Sequence, residues 1–273
     1  MSARGSVIDK ISICTCVVSA RVFPSMNWQE RLGMLRQAGY EYIEIDHPAG
    51  PVDRAEVLPA IRNSGLKVWS VHGVMGSGCV SPDETVRKDA VEQAGRFAAE
   101  FAEFAPCPLV EHYFYRTSDP AQGERFRRSV EELYEKVSPL GFILTIETVP
   151  WKPWIDERYA DSLEVSGFVR SFRKDDLQMT FDVNHSNIHE DVVRAAENCA
   201  GLIKNIHVSD NHGEGEEHLP PGEGIIDFPA AFRALRANGY TGPCNLEFSF
   251  KGRTPTVEML RSVREKMEKM LFV

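Results

Sequence analysis

An alternation of short apolar runs with longer amphipathic stretches is the feature that most constrains the fold of this chain. The apolar runs have the length of strands, and the stretches between them repeat apolar residues at helical spacing. The runs predicted as strands are 11–18, 40–45, 67–71, 107–111, 142–146, 178–181, 203–207 and 244–247. The stretches predicted as helices are 27–38, with Asn27 as a cap, then 57–64, 84–104, 123–138, 161–172, 191–199, 228–237 and 256–270.

Eight β-then-α units in 273 residues match a (β/α)8 barrel in number and length. A doubly wound open sheet is the competing architecture. Such a sheet rarely has eight repeats without a glycine-rich phosphate turn, and the sequence contains no G-x-G-x-x-G motif. No Pro/Ser-rich linker divides the chain. We therefore predict an α/β protein in which residues 1–273 form a single-domain TIM barrel.

The charge balance argues against nucleic acid and anionic membranes as partners. The chain has 31 Lys and Arg against 40 Asp and Glu, a net charge of −9, which provides no basic surface overall. It contains no run of 18 apolar residues, and its first residues lack the apolar core of a signal peptide. The six cysteines are scattered without a CxxC pair, as is typical of reduced, buried residues. We expect a cytoplasmic protein that binds neither nucleic acid nor a membrane.

Polar residues at the ends of the strands predict an active site at one end of the barrel. In a barrel of parallel strands, the C-terminal ends of all strands meet at one face, where active sites are built. Side chains able to bind a metal occur at or after most strand ends: Glu44, His72, His112, Glu147, Asp182, His185, His207, Asp210 and Glu247. So many such residues at equivalent positions exceed what packing requires.

Glu147, Asp182, His207 and Glu247 form the best predicted metal site. One imidazole and three carboxylates are a hard, oxygen-rich donor set that suits Mn²⁺ or Mg²⁺ and tolerates Co²⁺ or Zn²⁺. A site specific for zinc would more usually contain additional His or Cys ligands. The alternative for each carboxylate is a buried ion pair inside the mouth of the barrel.

Several segments around these residues resemble the xylose isomerase-like barrel superfamily, in particular its sugar phosphate isomerase/epimerase branch. The matching segments are ILTIETVP, TFDVNHSNIH, IHVSDNHG, EEHLPPGEGIIDF and CNLEF. The resemblance spans the whole barrel, and HLPPGEGIIDF is its most specific part. It implies that the four predicted ligands bind one divalent metal ion, with Mn²⁺ ahead of Mg²⁺, Co²⁺ or Zn²⁺. It also implies that Glu147 and Glu247 act as acid and base on opposite faces of the substrate.

Further residues are predicted to contact the substrate. The resemblance implies that His185 contacts a substrate oxygen and that His218 lines the site. Trp151 and Trp154 follow the fifth strand, where their rings could stack on a sugar or could simply pack against their own loop. The remaining candidate contacts are His72, His112 and Glu216. No cluster of Arg or Lys in the sequence commits the site to a phosphorylated substrate.

The predicted function is a metal-dependent sugar isomerase or epimerase that acts on a small polyhydroxy carbonyl compound. A divalent ion that chelates a carbonyl oxygen and an adjacent hydroxyl acidifies the C–H between them and stabilises the metal-bound enediolate. One carboxylate removes that proton and another acid returns it. Loss of a β-hydroxyl from the same enediolate would instead give a dehydratase or lyase acting on a keto-sugar or keto-inositol. Relatives of this kind are often dimers or tetramers, so a homo-oligomer is compatible with the resemblance.

The sharpest alternative lies in the same superfamily, among endonuclease IV-type phosphodiesterases that hold three zinc ions. Counterparts of their ligands are His72, His112, Glu147, Asp182, His185, His207, His218 and Glu247, with Glu216 where an aspartate is expected. Against this alternative, the first strand reads ICTCVVS instead of a GAHVS-like segment. The acidic balance also offers no evident contacts for a phosphate backbone, on which affinity for DNA depends strongly.

Overall fold

Eight parallel strands form a closed barrel in this computed structural model, and they follow one another around it in chain order. The structure describes residues 10–47, 51–73, 75–114, 120–149 and 161–271, without the side chains of residues 51–54. The strands are β1 (Ile11–Cys14), β2 (Tyr42–Ile45), β3 (Lys67–His72), β4 (Pro108–His112), β5 (Ile143–Glu147), β6 (Leu177–Asp182), β7 (Ile203–Val208) and β8 (Cys244–Leu246). This arrangement confirms the predicted (β/α)8 barrel.

Helices follow the strands and surround the barrel. They are α1 (Trp28–Gln37), α2 (Pro51–Ser64), α3 (Glu84–Glu100), α4 (Pro120–Val137), α5 (Ser162–Ser171), α6 (Val183–Asn187), α7 (Val192–Asn198), α8 (Phe228–Ala237) and α9 (Val257–Leu271). The predicted cap of α1 is confirmed, because the Asn27 side chain accepts from the backbone N–H of Glu30 and the Glu30 side chain accepts from that of Asn27. None of the helices in the described ranges is long and apolar enough to span a membrane.

Most boundaries differ from the sequence prediction by a few residues, and three larger differences have a local reason. β1 ends at Cys14, because Thr15–Val18 form a 3₁₀ turn whose backbone N–H at Cys16 donates to the Cys14 sulfur. α2 begins at Pro51, six residues before the predicted start, since proline is favoured in the first turn of a helix. The short helix α6 was not predicted, because its five residues are too few to show a periodic pattern.

Successive side chains of each strand point alternately toward the helices and into the barrel interior, and both faces are buried. Leu144 and Ile146 of β5 are fully buried on the face toward the helices, whereas Thr145 shares the opposite face with Glu147. The Thr145 hydroxyl lies 2.8 Å from that of Thr180 on the next strand, within the barrel interior. Because helices cover the outer face and other strands enclose the inner face, consecutive residues of a parallel strand are all buried. The interior face therefore carries polar groups toward the C-terminal end of the barrel.

Candidate metal-binding active site

The residues predicted as metal ligands lie at the C-terminal ends of four consecutive strands. Glu147 and Asp182 end β5 and β6, His207 lies one residue before the end of β7, and Glu247 directly follows β8. Each follows a buried polar residue by two positions, in the pairs Thr145 and Glu147, Thr180 and Asp182, Asn205 and His207, and Asn245 and Glu247. The strand register places Asp182 beside His207, and His207 beside Asn245. Because residues two apart point the same way in a strand, this spacing directs all four side chains to the mouth of the barrel.

The four side chains form one compact cluster, in which each offers a ligand atom within 4.8 Å of the others. The Nδ1 atom of His207 lies 2.8 Å from Oε1 of Glu147 and 3.0 Å from Oε2 of Glu247. Oδ2 of Asp182 lies 4.0 Å from the same nitrogen. Glu147, Asp182 and His207 are fully buried. The structure thus brings together the four predicted ligands, and their role as ligands stays a prediction.

The cluster fits a divalent cation in its donors and in its unsatisfied atoms. Oε2 of Glu147 and Oδ2 of Asp182 are buried and make no hydrogen bond within the part of the chain that the structure describes. An unpaired buried carboxylate oxygen costs free energy, and a cation between these oxygens would remove that cost. Three carboxylates and one imidazole are also a suitable donor set for a hard divalent ion.

The charges in the cluster are strongly coupled. Burial opposes ionisation of Glu147 and Glu247, but the His207 imidazole outweighs it, holding the pKa of Glu147 well below its usual range and lowering that of Glu247 to about 2. Burial raises the pKa of Asp182 to about 6. Burial also opposes protonation of His207, but Glu247, Glu44 and Glu147 outweigh it and raise its pKa well above the usual value. The centre of the cluster therefore favours a positive charge, which a proton or a metal ion can supply.

A second group of metal-competent side chains lies beside Glu147. His72 and His112 end β3 and β4, and their Nε2 atoms are 3.1 Å apart. Those nitrogens lie 3.6 Å and 3.3 Å, respectively, from Oε2 of Glu147. Burial lowers the pKa of His112, but the Glu147 carboxylate outweighs it and raises that pKa to about 9. Both predicted substrate contacts are therefore next to the main cluster.

A third group joins His185, Glu216 and His218 on the other side. Asp182 caps α6 by accepting from the backbone N–H of His185, at 2.9 Å, which places the His185 ring at the mouth. The ring's Nδ1 donates to the Thr148 carbonyl at 2.7 Å, and its Nε2 is buried and lies 3.6 Å from Oε1 of Glu216. Nε2 of His218 lies 3.0 Å from the same oxygen. The predicted contacts His185, His218 and Glu216 thus lie together.

The loop that carries Glu216 and His218 is hydrogen-bonded through its backbone to one buried carboxylate, that of Asp210. Oδ1 of Asp210 accepts from the backbone N–H groups of Asn211 and Ile226, at 2.9 Å and 3.2 Å. Its Oδ2 accepts from those of Gly222 and Gly224, at 2.8 Å and 2.9 Å. Four such bonds to an ionised group form a strong anchor for a loop without regular structure. The Asp210 carboxylate is therefore one main anchor of the HLPPGEGIIDF segment, beside backbone bonds such as those from Ile225 to Asn211 and from Ser249 to His218.

Two features of the site were missed by sequence reasoning. Glu44, recognised only as a strand end, is fully buried, and its Oε2 lies 3.0 Å from Nε2 of His207. Its charge inside the apolar run YIEI was the available signal. A cavity of about 320 Å³ also lies between the loops after β1 and β8, and Arg21, Lys251 and Arg253 line it without an acidic residue. Arg21 is distant in sequence from Lys251 and Arg253, and they meet because β1 and β8 are neighbours in the closed barrel. Arg253 also pairs with the Glu223 carboxylate at 3.2 Å.

The predicted contacts Trp151 and Trp154 lie outside the described residues. Their suggested stacking on a sugar stays a prediction.

The family model described as xylose isomerase-like TIM barrel matches residues 32–269. An L-ribulose-5-phosphate 3-epimerase, UlaE, of Escherichia coli O1:K1 / APEC is 26% identical over 266 residues, which cover 89% of this chain and 90% of that protein. This similarity extends over nearly the whole of both chains.

Two solved structures resemble the barrel closely. An L-ribulose 3-epimerase has a TM-score of 0.76 at 22% identity, with 96% of this chain and 94% of that chain covered. The 3-keto-D-glucoside 4-epimerase YcjR from E. coli has a TM-score of 0.75 at 19% identity, with 95% and 99% covered. At these identities the two structures support the fold alone.

Proposed function

This chain belongs to the xylose isomerase-like TIM barrel family, and from that premise we propose that it is a divalent-metal-dependent epimerase of a small ketose. The observation that carries the proposal is the pair of carboxylates, Glu147 and Glu247, that both lie near His207 Nδ1, at 2.8 Å and 3.0 Å. The curated relative described above is, by its name, a 3-epimerase of a ketose phosphate. A 3-epimerase inverts a carbon next to a carbonyl, and two carboxylates in one site suit that reaction.

The four clustered residues Glu147, Asp182, His207 and Glu247 would hold the cation. When bound there, a divalent ion polarises the substrate carbonyl and an adjacent hydroxyl and so acidifies the C–H bond between them. Mn²⁺ is the first choice, since the donors are mostly oxygen, and Mg²⁺, Co²⁺ or Zn²⁺ would be tolerated.

Glu147 and Glu247 would exchange the proton. Their lowered pKa values keep both carboxylates ionised near neutral pH, so that either can accept a proton from carbon. They come from strands three positions apart in the barrel wall, at the end of β5 and directly after β8. One ionised carboxylate would take the proton from one face of the substrate. The other, after taking up a proton from solvent, would give it to the opposite face, so that the two groups exchange protonation states. The configuration inverts, and no atom is lost overall.

His185 would orient the substrate. Because the Thr148 carbonyl can only accept, Nδ1 of His185 carries a proton, and the ring presents Nε2 to the mouth. That atom makes no hydrogen bond among the residues described, so a substrate hydroxyl can supply one. His72 and His112, on the other side of Glu147, are further candidates for substrate contact.

The experiment combines metal content with an isotope test. Protein purified without chelator is analysed for metals and then incubated with L-ribulose or L-ribulose 5-phosphate in D₂O. Both forms are needed, because the cavity lined by Arg21, Lys251 and Arg253 could accept an anionic end. The expected result is about one divalent ion per chain and an epimer with deuterium at the inverted carbon. A product lighter by one water would identify a dehydratase instead.

Variants separate the proposed roles. Glu147→Gln and Glu247→Gln should each abolish deuterium incorporation, whereas Glu111→Gln, at a buried carboxylate on β4, should not. Asp182→Asn and His207→Ala should lose metal, because each removes a proposed ligand. His185→Ala should keep the metal and raise KM. Full metal occupancy in Asp182→Asn or His207→Ala would contradict the ligand assignment.

A second candidate function is phosphodiester cleavage by three zinc ions. Four further groups in the described residues are as compact as the main cluster, with candidate ligand atoms within 4.8 Å. The observation that favours this function is that two of them consist of residues predicted as zinc ligands: His72, His112 and Glu147, and His185, Glu216 and His218. Close to three zinc ions per chain and cleavage of abasic-site DNA would support this function. One ion per chain and no cleavage would leave the two groups as substrate contacts.

A further inference from the structure

We infer that Glu44 is a positioning residue, which fixes the His207 ring so that Nδ1, and not Nε2, faces the proposed cation. Glu44 is not one of the four proposed ligands. It lies on β2, which is not a neighbour of β7, the strand that carries His207. The inference rests on the cation site of the proposed function and does not depend on which sugar is bound.

Three donors converge on one oxygen of Glu44. Its Oε2 lies 2.7 Å from the Ser70 hydroxyl, 3.2 Å from Nδ2 of Asn205 and 3.0 Å from Nε2 of His207. Glu44, Ser70, Asn205 and His207 are all fully buried. Within this enclosed space the direction of each hydrogen bond follows from the donors available.

Trp69 fixes the direction of the network. An indole N–H can only donate, and Nε1 of Trp69 lies 2.8 Å from Oδ1 of Asn205. The Asn205 amide must therefore turn its NH₂ group toward Glu44, which makes Oε2 of Glu44 an acceptor. The remaining close neighbour of that oxygen, Nε2 of His207, must then carry a proton. Nδ1 lies 2.8 Å from Oε1 of Glu147, so without a cation it donates to that carboxylate; a bound cation would take the place of this proton, while Glu44 keeps the proton on Nε2.

Glu44 is unlike a residue that serves packing alone. Its Oε1 is buried and has no hydrogen-bond partner in the described part of the protein. A buried carboxylate with an unsatisfied oxygen is costly, and an apolar side chain would avoid that cost. Without Glu44 either ring nitrogen of His207 could keep the proton, so a part of the molecules would present a protonated nitrogen to the cation.

The experiment measures Mn²⁺ affinity by titration calorimetry on the chelator-treated full-length protein. A group that hydrogen-bonds to the other ring nitrogen of a metal-bound histidine typically contributes about 10- to 100-fold in metal affinity. We expect Glu44→Leu to weaken the Kd for Mn²⁺ by about that factor. Glu44→Gln should weaken it less, because its carbonyl can still accept from His207. The matched control is Glu111→Gln, which changes a buried carboxylate that bonds to the Met75 backbone, and it should bind Mn²⁺ as the wild type does.

A direct measurement on the wild type keeps the inference testable if the Leu variant does not fold. With diamagnetic Mg²⁺ bound, ¹⁵N-detected NMR of the histidine rings should show the His207 proton on Nε2. A proton on Nδ1 would overturn the inference, as would a folded Glu44→Leu that binds Mn²⁺ with wild-type affinity. If the wild type itself binds no Mn²⁺, the cation site of the proposed function fails, and the role of Glu44 fails with it.

Discussion

The exchange Asp210→Asn should release the loop that carries Glu216 and His218 while leaving the barrel intact. Asn and Asp have nearly the same size, so the exchange opens no cavity. The carboxylate accepts four backbone N–H groups, two on each oxygen. An amide has only one oxygen. In either orientation, its NH₂ group would face two N–H donors.

The expected loss follows from the two hydrogen bonds that Asn cannot make. A hydrogen bond to a charged group contributes about 1.5–3 kcal/mol. Because Asp210 is fully buried, water cannot replace the lost acceptor. We take the lower bound for each bond, since a loop can relax, and expect the closed loop to lose about 3 kcal/mol relative to an open one. That loss corresponds to about a hundredfold greater population of the open loop.

The assay is native-state hydrogen exchange at Gly222 and Gly224, whose N–H groups donate to Asp210. Their protection should fall by about a hundredfold, while amides in the strands keep theirs. The control is Asp227→Asn, because Asp227 caps α8 through one bond to the N–H of Ala230, and Asn caps helices equally well.

The Mn²⁺ affinity of Asp210→Asn should stay within threefold of the wild type, since none of the four proposed ligands lies on this loop. Unchanged protection at both glycines would refute the view that this carboxylate shapes the loop. A large loss of Mn²⁺ affinity would show that the loop and the cluster are not independent.

Three further predictions concern stability. Gly224→Ala should destabilise the protein by more than about 2 kcal/mol, because an added Cβ would lie 2.3 Å from the backbone oxygen of Asn211. Gly215→Ala is the control, since its Cβ would have no atom within 4 Å. Denaturant unfolding compares the two variants, and equal free energies of unfolding would contradict the prediction. Arg87→Met should lower the free energy of unfolding by about 3 kcal/mol and the Tm by about 6 °C, because the fully buried guanidinium donates to the Ser129 hydroxyl at 2.9 Å. Scanning calorimetry measures the Tm, and a shift of less than about 1 °C would contradict the prediction. Burial lowers the pKa of His189 from 6.5 to about 4, so the unfolded chain binds more protons between these values, and stability should fall as the pH drops from 6.5 to 4. His189→Asn should lack this part of the pH dependence, and identical pH profiles would exclude it.

The amino-acid sequence determined the barrel and the gathering of the four predicted ligands. Alternating apolar runs and amphipathic stretches specify strands and helices locally, and eight such units leave few architectures open. β5, predicted at 142–146 and found at Ile143–Glu147, is displaced by only one residue. Once the strands are parallel and closed, residues that end β5, β6 and β7 must meet at one face. The proximity of Glu147, Asp182 and His207 thus follows from local patterns and one rule of topology.

Only the tertiary structure decided the contacts that cross the barrel or join its two ends. Glu44 and His207 are 163 residues apart, on strands that are not neighbours, and no local pattern pairs them. Arg21 and Lys251 meet at one cavity because the last strand closes against the first. Such contacts depend on the closure of the barrel and on side-chain packing in its interior. Strand periodicity fixes which way a side chain points, whereas the partner across the interior is set by the complete barrel.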